Sequence, residues 1–125
     1  MSNCTVQKAL FPGLRRRRIE ANFSGGAISS DWGVLLLGQV DRCVGLSEAV
    51  AAVLGDARRS SSCLHDGLNL LRQRVYGLAL GYDDLNDHQE LREDLAIQTA
   101  VDCTQDLASS STLCRWENRA DREAA

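Results

Sequence analysis

No apolar run in this chain approaches the roughly 20 residues that a membrane-spanning helix needs. No apolar segment precedes the basic block near the N-terminus, so "MSNCTVQKALFPGLRRRR" is not a secretory signal. Five cysteines, Cys4, Cys43, Cys63, Cys103 and Cys114, are scattered without a C-x-x-C pair. That spacing argues against both a disulfide framework and a zinc module, and predicts reduced thiols in a cytoplasmic protein. Proline occurs once and aromatic residues make up only 5% of the chain. Leu, Ala and Val therefore carry most of the apolar content, which leans toward helix. The G-x-S-x-G, P-loop and G-x-G-x-x-G signatures are all missing. "SGGAISSDWG" is glycine-rich, but it lacks the lysine and the spacing of a phosphate cradle.

What is present is 125 residues, 44% hydrophobic and 25% charged, enough for one globular domain with one core. The net charge of −3 hides an asymmetry. Residues 1–60 carry eight Lys/Arg against five Asp/Glu, and residues 61–125 carry six against twelve. An acidic total does not favour a dedicated nucleic-acid binder, yet a local basic face can act alone.

Residues 1–17 read as a flexible basic lead-in, with the block Arg15, Arg16, Arg17 and Arg18 either a solvated arm or a phosphate-contacting one. Ile19, Ala21 and Phe23 alternate as in a half-buried strand, and Gly25-Gly26 predicts a tight turn into a short returning strand. A helix capped by Ser30 follows, with Trp32, Leu36, Val40 and Cys43 as its core stripe and Gly45 as its stop. Ser47 is expected to cap a second, shorter helix that ends at Gly55. The strongest helix spans Leu64 to Leu80 and is the expected centre of the fold. Leu64, Leu68, Leu71, Val75 and Leu78 give it an apolar face that Leu70 and Leu80 widen. Beside that face runs a polar row, His65, Asn69, Arg72 and Tyr76, which is either a site or a satisfied hydrogen-bonding seam.

The stretch "GYDDLNDHQELRED" crowds six acids and His88 into fourteen positions. As a calcium loop starting at Asp84 it places Gln89 where the turn needs glycine and Leu95 where a bidentate glutamate belongs, so that reading fails. Nothing in the spacing selects two acids for acid–base work. Helix capping by Asp83 or Asp84 and by Asp94 accounts for much of the stretch. The last helix, "SSSTLCRWENRADRE", docks through Leu113, Trp116 and Ala120. It begins with the small polar residues Ser111 and Thr112 and carries Arg115, Arg119 and Arg122 on another face. Those are the parts a helix needs to meet DNA.

"GGAISSDWGVLLLGQVDRCVGL", "LLRQRVYGLALGYDDLNDHQELRED" and "LASSSTLCRWENRADRE" together resemble the N-terminal region of bacterial insertion-sequence transposases of the DDE type, closest to the insertion-sequence thirteen-eighty group. The resemblance covers residues 18–123. It implies an enzyme that binds the terminal inverted repeats of its element and cuts and rejoins DNA. Mg²⁺ would be held by three carboxylates on an RNase H-like core that follows the "ENRADR" segment. The expectation is therefore a mainly α, bundle-like N-terminal segment over residues 18–125, with a short N-terminal β-hairpin and without that catalytic core. It would hold no metal and perform no strand transfer by itself. The partners expected are element-end DNA and a second transposase copy, with no membrane. The competing expectation is a structural or interaction segment, or a gene remnant, that makes no DNA contact.

Overall fold

A computed structural model of the chain describes residues 9–14, 17–21 and 31–124. It divides into two compact units, residues 1–30 and 31–125. In the first, β1 (Ala9–Leu14) pairs antiparallel with β2 (Arg17–Ala21), with Leu10 opposite Glu20 and Phe11 opposite Ile19. The register is irregular between Phe11 and Leu14, around Pro12, whose missing N–H cannot serve a ladder. The turn expected at Gly25-Gly26, its returning strand and the Ser30 cap lie outside the described residues.

The second unit is helical: α1 (Val34–Val44), α2 (Leu46–Leu54), α3 (Gly67–Ala79), α4 (His88–Leu91), α5 (Leu95–Val101) and α6 (Ser110–Ala124). Gly45 separates α1 from α2 with a φ of 72°, a left-handed conformation that a side chain would strain. Asp66 caps α3 by accepting from the Asn69 N–H at 2.7 Å. Asp94 caps α5 by accepting from the Ala96 and Ile97 N–H groups, and Asp84 accepts from the Asn86 N–H. Ser47 does not cap α2. It lies one residue inside the helix, buried, with its hydroxyl committed to Asp41.

α3 packs against α1, α2, α5 and α6, so the expected central helix is central. The face it turns inward is only partly the one its leucines mark, and Leu64 lies outside the helix. Leu64, Val75 and Leu78 are 73%, 42% and 46% exposed, while Arg72, Gln73, Tyr76 and Gly77 are buried beside Leu70 and Leu71. α1 shows the same inversion: Val34, Leu35, Gly38 and Asp41 face the core, and Leu36, Val40 and Cys43 face out. Apolar periodicity marks a face that avoids water. It does not say what covers that face, and a polar face can be buried when every group on it finds a partner. α5 and α6 follow their patterns, with Ile97, Val101 and Leu113 fully buried.

Candidate nucleic-acid interface

α6 is the helix with separated functions. Ser109 opens it, its hydroxyl lying 3.0 Å from Thr112 Oγ1 and 3.1 Å from Ser111 Oγ. Leu113 enters a cluster with Leu70 and Ala108, and Leu85 and Trp116 pack against its edge. Arg115, Arg119 and Arg122 are exposed. Arg115 reaches back to Thr112 Oγ1 at 3.5 Å. Arg119 lines a shallow pocket with Trp116, Asp56 and Arg58, and Arg58 is already engaged by Asp56 at 2.6 Å.

Two side chains of α3 fix α6 in place. The Gln73 side-chain amide donates to the Ala108 carbonyl at 2.8 Å and accepts from the Ala108 N–H at 3.0 Å. That two-point clasp holds the segment leading into α6. Arg74 Nε meets Glu117 Oε1 at 2.6 Å, and its Nη2 donates to the Asp83 carbonyl at 3.0 Å. Arg74 thus ties α6 to the start of the acidic stretch. Below them His88 is fully buried, its ring against Gly77, with Nδ1 3.5 Å from Gln73 Nε2. Its Nε2 meets no hydrogen-bond partner among the described residues. Burial, followed by the nearby charge of Arg74, pushes its pKa down, so the ring is neutral at pH 7.

A second polar centre joins α1, α2 and α3. Asp41 accepts from the Ser47 N–H at 2.9 Å, from the Ser47 hydroxyl and from the Tyr76 hydroxyl at 2.7 Å. Arg72 donates to Ser47 Oγ at 2.9 Å and lies 3.5 Å from Asp41 Oδ2. Burial opposes ionisation of Asp41, but the bonds from Ser47 and Tyr76 and the charge of Arg72 outweigh it and hold the carboxyl below its ordinary pKa. Burial and the bond to Asp41 push the Tyr76 phenol far up, so it stays protonated. Every group here is satisfied by another protein group, which gives a structural seam.

A family model for the transposase DDE domain group 1 matches residues 11–125. The chain belongs to that transposase family. No curated protein and no solved structure matches it.

In this transposase-family chain the residues singled out by sequence separate into three groups. Ser111, Thr112, Arg115, Arg119 and Arg122 share α6, with Ser111 and the arginines exposed and Thr112 partly so. Arg17 and Arg18 lie in β2, and Arg15 and Arg16 lie outside the described residues. The acids of the quoted stretch disperse: Asp84 and Asp94 cap helices, and Asp83 and Glu90 are exposed. Among the described residues no three His, Cys, Asp or Glu side chains converge as a metal site requires. The donor set therefore does not fit the Mg²⁺ centre of the family's chemistry, and no catalytic step can be drawn through these acids.

Sequence reasoning found the Arg72 and Tyr76 seam but missed Gln73 and the burial of His88. The available signal was Gly77, a glycine in the interior of a strong helix, which implies a close approach.

Proposed function

We propose that this chain is the N-terminal segment of an insertion-sequence transposase of the thirteen-eighty group, and that it contacts element-end DNA without catalysing strand transfer. The observation that carries this reading is the division of α6: Leu113 and Trp116 seat it, Arg115 and Arg122 are exposed away from that contact, and Arg119 is exposed at its edge beside Trp116. Guanidinium groups on a rigid helix suit phosphates and guanine edges. In this reading Arg15 to Arg18, at the end of the basic lead-in (residues 1–17), add phosphate contacts. Mg²⁺ serves a catalytic core outside residues 18–125, and the setting is the bacterial cytoplasm. Among the described residues no helix is long and apolar enough to cross a membrane.

A gel-shift titration with duplex DNA carrying the terminal inverted repeat tests the reading. A salt-sensitive shift that the R115A/R119A/R122A variant loses supports it, and no shift even at low salt overturns it. A second reading, an interaction segment that holds another transposase copy and leaves DNA alone, is favoured by the apolar residues exposed on α1 and α2.

A further inference from the structure

The middle of α6 carries a polar side chain that the fold hardly uses. Asn118 lies three residues after Arg115 and four before Arg122, and Ser111 lies four before Arg115. Those steps place Ser111, Arg115, Asn118 and Arg122 in one row along the helix. Leu113 and Ala120 fall on the opposite side, where Leu113 is fully buried. All four side chains of the row are exposed.

Asparagine is a poor helix former, because its amide competes for nearby backbone groups. Asn118 Nδ2 reaches Cys114 Sγ at 3.5 Å, a long bond to a weak acceptor. The amide therefore presents a donor and an acceptor side by side to solvent. Its surroundings favour a duplex as the occupant. No acid stands in the row, and the neighbouring Glu117 is engaged by Arg74 Nε at 2.6 Å. Arg115 and Arg122 are seven residues apart, about 10 Å along the axis. The major groove is about 12 Å wide and admits an α-helix. A helix laid there brings its outer arginines to phosphates at both walls, and the amide between them to the base edges. Adenine matches that amide, since its N7 accepts and its N6 amino group donates. Arginine has no acceptor and cannot make the same pair.

We propose that Asn118 is the residue of α6 that reads sequence, pairing with an adenine edge in the major groove while Arg115 and Arg122 hold flanking phosphates. Base reading by Asn118 rests on the DNA contact by α6 proposed above.

Gel-shift titration of the full chain tests it, with terminal-repeat duplexes in which each A·T pair in turn is replaced by G·C. One replacement should weaken wild-type binding about tenfold, as should 7-deazaadenine at that same pair, which lacks the N7 acceptor. The N118A variant should bind the intact repeat about tenfold more weakly and respond to neither change. Its salt dependence should match the wild type, because the amide neutralises no phosphate. Helix content by circular dichroism should hold, since alanine is the better helix former at this exposed position. An N118A variant that keeps every wild-type base preference or lowers the salt slope overturns base reading by Asn118, as does a wild type without preference. Either result leaves the phosphate contacts of α6 standing. A wild-type chain that shifts no duplex overturns the DNA contact and base reading together.

Discussion

Gly77 sits where a methyl group has no room. A Cβ there would lie 2.6 Å from His88 Cε1 and 3.0 Å from Nε2, and that ring is fully enclosed. Replacing an interior helical glycine by alanine ordinarily stabilises a helix by about 1 kcal/mol. Here overpacking should win and cost about 1–3 kcal/mol, so G77A reverses the usual sign. Urea unfolding followed by circular dichroism measures it, and a stabilised G77A would mean that the ring moves aside without penalty. The same ring sets a pH dependence. Both His88 and His65 have folded pKa values below their ordinary 6.5, each chiefly through burial. The unfolded chain therefore binds more protons than the folded one in the window just below pH 6.5. The sign is fixed: stability is complete above that value and falls as pH drops from it toward the folded pKa. H88N should flatten part of that fall, and H65N the remainder. A stability that is level between pH 7 and 5 in the wild type would contradict the burial of both rings.

At the scale of elements, α3 acts as a polar spine. Truncating Gln73 to alanine leaves the Ala108 N–H and C=O without their clasp in a buried position. Each orphaned group costs about 1–3 kcal/mol, so Q73A should lose several kcal/mol even though it deletes no apolar contact of note. D41A should be as damaging, because it strips Ser47 and Tyr76 of their acceptor and leaves Arg72 buried beside no charge but the exposed Glu48. Y76F removes one bond and should cost about 1 kcal/mol. Thermal unfolding should order the three with Y76F mildest. Parts of this architecture were legible in the sequence. The order of helices, the Asp94 cap, the Gly45 stop and the docking of α6 through Leu113 all follow from local chemistry, which needs no knowledge of neighbours. The inward face of α3 was only partly legible from its leucines: Leu70 and Leu71 are buried, but Val75 and Leu78 are exposed. Periodicity assigns one stripe to the core, but α3 has two faces that avoid water for different reasons. Gln73 is buried because Ala108, 35 residues away, meets it, and no local pattern announces such a pairing. The α6 arginines were legible as a row, whereas the mount that holds them, Gln73 and Arg74, was not.

For the whole molecule, the balance of charge sets what DNA contact can look like. The net charge is −3, and residues 61–125 carry twice as many acids as bases, so the chain as a whole does not attract a duplex and affinity must come from local basic contacts. Salt dependence counts those contacts, because log K falls with log salt by about 0.9 per phosphate neutralised. If Arg115, Arg119 and Arg122 act alone, the slope should be about −3; if Arg15 to Arg18 join them, it should steepen to about −6. Replacing the three α6 arginines by alanine should lower the slope by about 3 in either case. The R15A/R16A/R17A/R18A variant then separates the two. An unchanged slope assigns the contacts to α6, and a slope reduced by about 3 to 4 assigns the remainder to the N-terminal block. An α6 triple variant that keeps the full wild-type slope would remove this helix from the interface altogether. That would leave its arginines as solvating charges on a helix whose opposite side seals the core.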